Sequence, residues 1–142
     1  MDELVEESPA LPSKTRMKKF AAGIRHLEDA VLHSELKFEG VDGVTQLYEL
    51  KAYDDLHKLA YSTTFVHGSL SQKGIDLDAI NARPLEQLDN VPIDEVRRYV
   101  HALYRCERHN FGWGSFVLTS ISSGALGMVA SRLEAYCSPE VR

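Results

Sequence analysis

The chain has 142 residues, of which 16 are Lys or Arg and 21 are Asp or Glu, for a formal net charge of −5. Hydrophobic residues make up 44% and charged residues 26%, ordinary proportions for a globular domain. They exclude a collagen-like, a low-complexity and a disulfide-framework protein, and the length fits one domain with a core large enough to stand without a metal or disulfide staple.

The chain starts Met1-Asp2-Glu3-Leu4-Val5-Glu6-Glu7. A secretory signal needs a basic start followed by an apolar run, so a cytoplasmic setting is expected. Residues 1–12 read as a disordered acidic tail in which Pro9 and Pro12 break any helix, and residues 13–142 as a single helical domain. Ser13 or Thr15 can cap a helix over 14–34. In it Met17, Phe20, Ala21, Ile24, Leu27 and Val31 form one apolar stripe, with Arg16, Lys18, Lys19, Arg25 and His26 on the other side.

Gly40 and Gly43 mark a loop. Val44 to Leu50 alternates and reads as a short strand or a helix start. Tyr53, Leu56, Leu59 and Ala60 predict a helix over 52–63. Thr63 to Val66 reads as extended and His67-Gly68-Ser69 as a turn. Short helices at Leu77–Ala82 and Leu85–Leu88 would satisfy the apolar residues between Gly74, Pro84 and Pro92.

Residues 92–109 give the clearest helix, with Pro92, Asp94 and Glu95 suited to its first turn. One side carries Ile93, Val96, Tyr99, Val100, Ala102, Leu103, Tyr104 and Cys106. The other carries Asp94, Arg97, Arg98, His101, Arg105 and Arg108.

Residues 110–131 hold no charged side chain for 22 positions, long enough to span a bilayer. Asn110, Thr119, the serines and the glycines argue instead for a buried helical hairpin, 113–122 and 125–137, broken at Gly124, and for no membrane partner. The fold expected is mainly α, a single compact helical domain, with a short two-stranded β element at 44–50 and 64–67 as an addition.

Charge is segregated along the chain. Residues 1–10 carry four acids and no bases, 11–37 six bases and three acids, 38–95 eleven acids and four bases, and 96–142 six bases, all Arg, and three acids. Such polarity can steer a charged partner or join two copies, but it does not specify a fold.

Arg105-x-x-Arg108, a glycine (Gly112 or Gly114), Ser123-Gly124 and Arg132-Leu133 follow one another in the last third. This order resembles a family of small bacterial and archaeal proteins of unknown function over residues 92–134, and Leu50–Thr64 is faintly similar to the segment before it. His109 stands where that family has an aromatic residue. The resemblance implies a fold and a set of marked residues, and no activity.

Four chemistries merit weighing. The arginine stripe, Arg97, Arg98, His101, Arg105 and Arg108, with Arg132 beyond it, could bind phosphates or an acidic protein surface through forked hydrogen bonds. A solvated face paired to the acidic 38–95 segment is the plainer explanation. The hairpin around Gly124 has the outline of a helix-turn-helix, yet its second helix would expose Gly127, Met128, Ser131, Arg132 and Glu134, with one base among them. His101, Cys106, His109 and Cys137 lack metal-ligand spacing, so neither a metal nor a cofactor is expected. No catalytic signature occurs, although His57, His67, Tyr53 and Asp55 could meet in space.

The function expected is a non-catalytic regulatory module acting by protein–protein contact. Its specific form is an acidic inhibitor of a nucleic-acid-binding machine, encoded by a phage or mobile element. A nucleic-acid-binding regulator using the arginine helix and hairpin is the alternative, and a small hydrolase or transferase a third. A homodimer fits any of these.

Overall fold

A computed structural model describes residues 11–33, 50–66, 75–108 and 116–138. Among them are seven helices: α1 (Lys14–His33), α2 (Lys51–Ser62), α3 (Leu77–Ala82), α4 (Pro84–Leu88), α5 (Ile93–Arg108), α6 (Phe116–Ser123) and α7 (Ala125–Cys137). The mainly α expectation holds, and the described residues contain no strand. The segment 44–49 lies outside the described residues. The stretch expected to be extended near Thr64 is instead a turn, with Thr64 at φ 65°.

Ser13 begins α1: its Oγ accepts from Arg16 N–H at 3.2 Å and its carbonyl from Met17 N–H at 2.9 Å. The first satisfies one of the donors that a helix start leaves open, and the second is the first hydrogen bond of the helix itself. Just ahead of this cap Leu11 packs on the core and Pro12 is buried. Both residues thus pack with the folded body, and the rest of the expected tail, residues 1–10, lies outside the described residues.

The apolar stripe of α1 meets two neighbours. α7 runs antiparallel beside it, with Cys137 against Lys14 and Met17 and Glu134 against Arg25. α2 crosses close by at Gly23, where a Cβ would come within 2.9 Å of the Leu56 and Leu59 methyls. Phe20, fully buried, stacks on Phe65 at 4.4 Å and meets Tyr104 edge-on at 6.2 Å. Burying each such ring contributes about 1.5–3 kcal/mol. These contacts join α1, the turn after α2, and α5.

Gly124 separates α6 from α7 at φ 92°, a conformation that L side chains rarely adopt. The two helices bend by 72° there. No single helix among the described residues is long and apolar enough to cross a membrane; the bent α6–α7 pair meets that length and composition only jointly. The apolar residues of α7, Leu126, Val129, Ala130 and Leu133, lie in the protein core.

Candidate functional site

The arginine stripe does not form an exposed face. Arg97 is 1% exposed, and so is His101. The Arg97 guanidinium points into the protein and donates from Nε to the Phe65 carbonyl at 3.2 Å and from Nη2 to the Thr64 carbonyl at 2.6 Å. Burial pushes its pKa down, and Asp94 opposes that shift. Arg98 is half-buried and tied to Glu95 one turn earlier at 3.0 Å. Arg132 donates to the Leu88 carbonyl and so ties α7 to the end of α4. Arg105 is half-buried, and its buried Nε has no hydrogen-bond acceptor among the described residues. The Arg108 side chain lies outside the described residues.

Arg97 and His101 are therefore corrected from surface residues to interior ones. The reason is physical: the turn after α2 covers α5 at Arg97, so this guanidinium meets backbone carbonyls rather than water, and His101 one turn later is buried with it.

The hairpin is equally engaged. On α7, Ser131 and Glu134 accept from Arg25 at 3.0 Å, and Glu28 stands against Gly127. The hydrogen bond to Glu134 raises the Arg25 pKa, and the same contact lowers that of Glu134. The pair is solvent-exposed, so it contributes at most about 1 kcal/mol. A helix used in this way has little polar surface left to enter a DNA groove.

The remaining candidates separate. His57 lies among rings, 6.3 Å from Tyr53, 5.4 Å from Tyr61 and 5.5 Å from Tyr104. Asp55 pairs with Lys51 at 2.9 Å. His67 and His109 lie outside the described residues. Cys137 contacts α1, whereas Cys106 lines a cleft on α5. Among the described residues no three His, Cys, Asp or Glu side chains are placed to hold a metal.

The most distinctive surface is built by residues 76–95, which hold six acids and one base. Asp76 caps α3, accepting from Ala79 N–H at 3.1 Å. Pro84 opens α4, and Asp94 and Glu95 open α5, where acids suit the helix dipole. Glu86 pairs with Arg83 at 3.5 Å and Glu95 with Arg98. Asp78, Asp89 and Asp94 are exposed and make no ion pair among the described residues.

Two adjoining clefts lie in this surface and share Ile75 and Asp76. The larger, about 550 Å³, has Ile75, Leu77, Ala102 and Phe116 as apolar walls, with Asp76, Asp78 and Cys106 among its lining. The smaller, about 140 Å³, runs over Ile80, Leu88 and Val91 to Glu95. Burial pushes the Cys106 thiol up, against a smaller opposing effect of Arg105, so the thiol stays protonated at neutral pH. The acidic excess of 38–95 is visible in the sequence; the meeting of residues 75–78 with 102, 106 and 116 across the clefts is not.

A buried knot positions α3 under these clefts. Tyr99 Oη donates to Asn81 Oδ1 at 2.6 Å and lies 2.5 Å from Ser120 Oγ. It thereby joins α3, α5 and α6. Burial drives the Tyr99 phenol well above its ordinary pKa, so it stays protonated and able to donate. Tyr99→Phe leaves both partners buried without it, at a cost of roughly 1–3 kcal/mol. Urea unfolding should show the midpoint falling with an unchanged slope. An unchanged midpoint would mean that the knot does not hold α3.

A third depression, about 500 Å³, has Val31, Leu32 and Ile121 as its walls and Arg25, Glu28 and Asp29 beside them. On α1, Lys14, Arg16, Lys18 and Lys19 are exposed. Comparison of the chain with protein-family models, with curated proteins and with solved structures finds no match in any of the three.

Proposed function

We propose that this chain is a non-catalytic protein-binding module that works by protein–protein contact, with its acidic 76–95 surface set against a basic partner. The observation that carries this reading is the run of six acids and one base at residues 76–95, of which Asp76, Asp78 and Glu95 line two adjoining clefts, while Asp78, Asp89 and Asp94 are exposed and make no ion pair among the described residues. The net charge of −5 adds long-range attraction to such a partner. In the specific form of this reading, the partner binds nucleic acid and the carboxylates occupy the groove that would otherwise hold phosphates.

A second reading is nucleic-acid contact. It is favoured by the exposed Lys14, Arg16, Lys18 and Lys19 on α1 rather than by the arginine helix.

One experiment weighs both. Binding of the full chain to a basic polypeptide and to duplex DNA is followed by fluorescence anisotropy across a salt series. We expect binding to the polypeptide, weakened by salt, and at least a tenfold loss in the Glu86→Lys, Asp89→Lys, Asp94→Lys variant. The control Glu28→Lys, Asp54→Lys, Asp55→Lys carries the same charge change outside the surface and should bind several-fold more tightly than that variant. Equal losses in the two variants would overturn the reading. DNA binding with a steep salt slope, lost in Lys18→Glu, Lys19→Glu, would establish the second.

A further inference from the structure

Resting on that reading, the geometry points to the larger cleft as a socket for an arginine side chain of the partner, which would anchor the acidic contact. The cleft lies between the start of α3 and the α5–α6 pair, and its volume of about 550 Å³ falls within the roughly 300–1,000 Å³ of ligand-sized sites. Its composition is mixed in a way that selects among side chains. Ile75, Leu77 and Ala102 present an apolar wall suited to the methylene stem of a long cationic residue. Phe116 is the aromatic residue of the lining, and an aromatic neighbour favours the flat guanidinium of arginine over the ammonium of lysine.

Asp78 is exposed and makes no ion pair among the described residues, so its carboxylate can accept a forked hydrogen bond. Asp76 spends Oδ1 on the α3 cap, and its Oδ2 has no hydrogen-bond partner among the described residues. Arg98 is held by Glu95 and Arg132 by the Leu88 carbonyl, and neither lines the cleft. An anionic ligand would face two carboxylates. A purely apolar one would leave Asp78 and Asp76 facing it without a cation. An arginine side chain, with an apolar stem and a cationic end, matches both the apolar and the acidic part of the lining.

The test is a ¹H–¹⁵N NMR titration of the full chain with N-acetyl-arginine methylamide, with the norleucine and glutamate analogues as controls. Saturable shifts are expected at the amides of residues 77, 78, 102, 106 and 116 for the arginine compound only. Asp78→Asn, a surface change that should leave the spectrum folded, is expected to weaken that binding at least fivefold. Phe116→Leu should weaken it while the glutamate compound stays inert.

Equal saturation by norleucine, shifts elsewhere only, or undiminished binding in Asp78→Asn would overturn the socket. The outcome is separable from the broader reading. A chain that still binds the basic polypeptide through Glu86, Asp89 and Asp94, but shows no arginine shifts, keeps the acidic contact and loses the socket. Loss of polypeptide binding with arginine shifts intact would show a small-molecule site and remove the acidic contact.

Discussion

Arg97→Met is expected to lower stability by about 3 kcal/mol, and Arg98→Gln by no more than about 0.5 kcal/mol. The two residues are neighbours in sequence and both cationic, so the difference comes from their surroundings. Arg97 is 1% exposed and reaches two carbonyls of the turn that follows α2, those of Thr64 and Phe65. That turn holds Thr64 at φ 65°, uncommon for a β-branched residue, and Phe65 against Phe20.

Methionine would fill part of the space and remove a costly buried charge, which pulls toward neutrality. The carbonyls, however, remain buried and lose charge-assisted donors, each worth roughly 1.5–3 kcal/mol. The second effect wins because only one side of the interaction is removed. Arg97→Lys keeps the charge but not the fork, and should lose about half as much. At this chain length the methionine variant should melt roughly 10 °C lower. Calorimetry on the three variants decides it. An Arg97→Met protein as stable as its parent would show that Arg97 is not what holds the turn, and would reopen its place in an external contact.

The same comparison shows what a sequence can and cannot disclose here. Spacings of three and four place α1, α5 and α7, because an apolar stripe must face a core wherever that core lies. Pro84 and Pro92 mark the starts of α4 and α5 because the ring suits a first helical turn. The helical wheel also puts Arg97, Arg98, His101 and Arg105 on one side of α5. It cannot say that this side is covered, since the cover is the turn at Thr64 and Phe65, over thirty residues earlier.

The extended reading of Thr63 to Val66 misleads for a related reason. β-branched residues favour an extended backbone locally, and here the Thr63 hydroxyl bonds back to the Leu59 carbonyl while Val66 N–H bonds to the Ala60 carbonyl at 3.0 Å. Tertiary packing of Phe65 decides the outcome. The acidic surface was the opposite case. Its charge excess is a property of composition, legible at once, while the cleft beneath it depends on α3, α5 and α6 meeting.

Glu107→Ala is expected to cost about 4 kcal/mol, and Glu107→Gln about 1–1.5 kcal/mol. Glu107 is 4% exposed near the end of α5. Its Oε1 accepts from the backbone N–H groups of Phe116 at 2.8 Å and Val117 at 3.3 Å, and its Oε2 from the Tyr53 hydroxyl at 2.6 Å. α6 has no acid in its own first turn, so the carboxylate from α5 supplies both the hydrogen-bond acceptors and the negative charge that a helix start favours.

Alanine leaves those three donors without their carboxylate acceptor inside the protein, and opens space beside Tyr53. Glutamine keeps an oxygen for the two N–H groups and can turn its amide toward the Tyr53 oxygen, so it loses mainly the charge–dipole attraction. Tyr53→Phe should cost less than alanine at 107, because the carboxylate retains the α6 donors. Hydrogen exchange at the Phe116 and Val117 amides separates the local effect from the global one: both should speed up in Glu107→Ala beyond the change in global unfolding, and remain slow in Tyr53→Phe. Exchange at those amides unaltered in Glu107→Ala would mean that α6 starts without help from α5. Phe116, which walls the proposed arginine socket, would then be positioned by α6 alone.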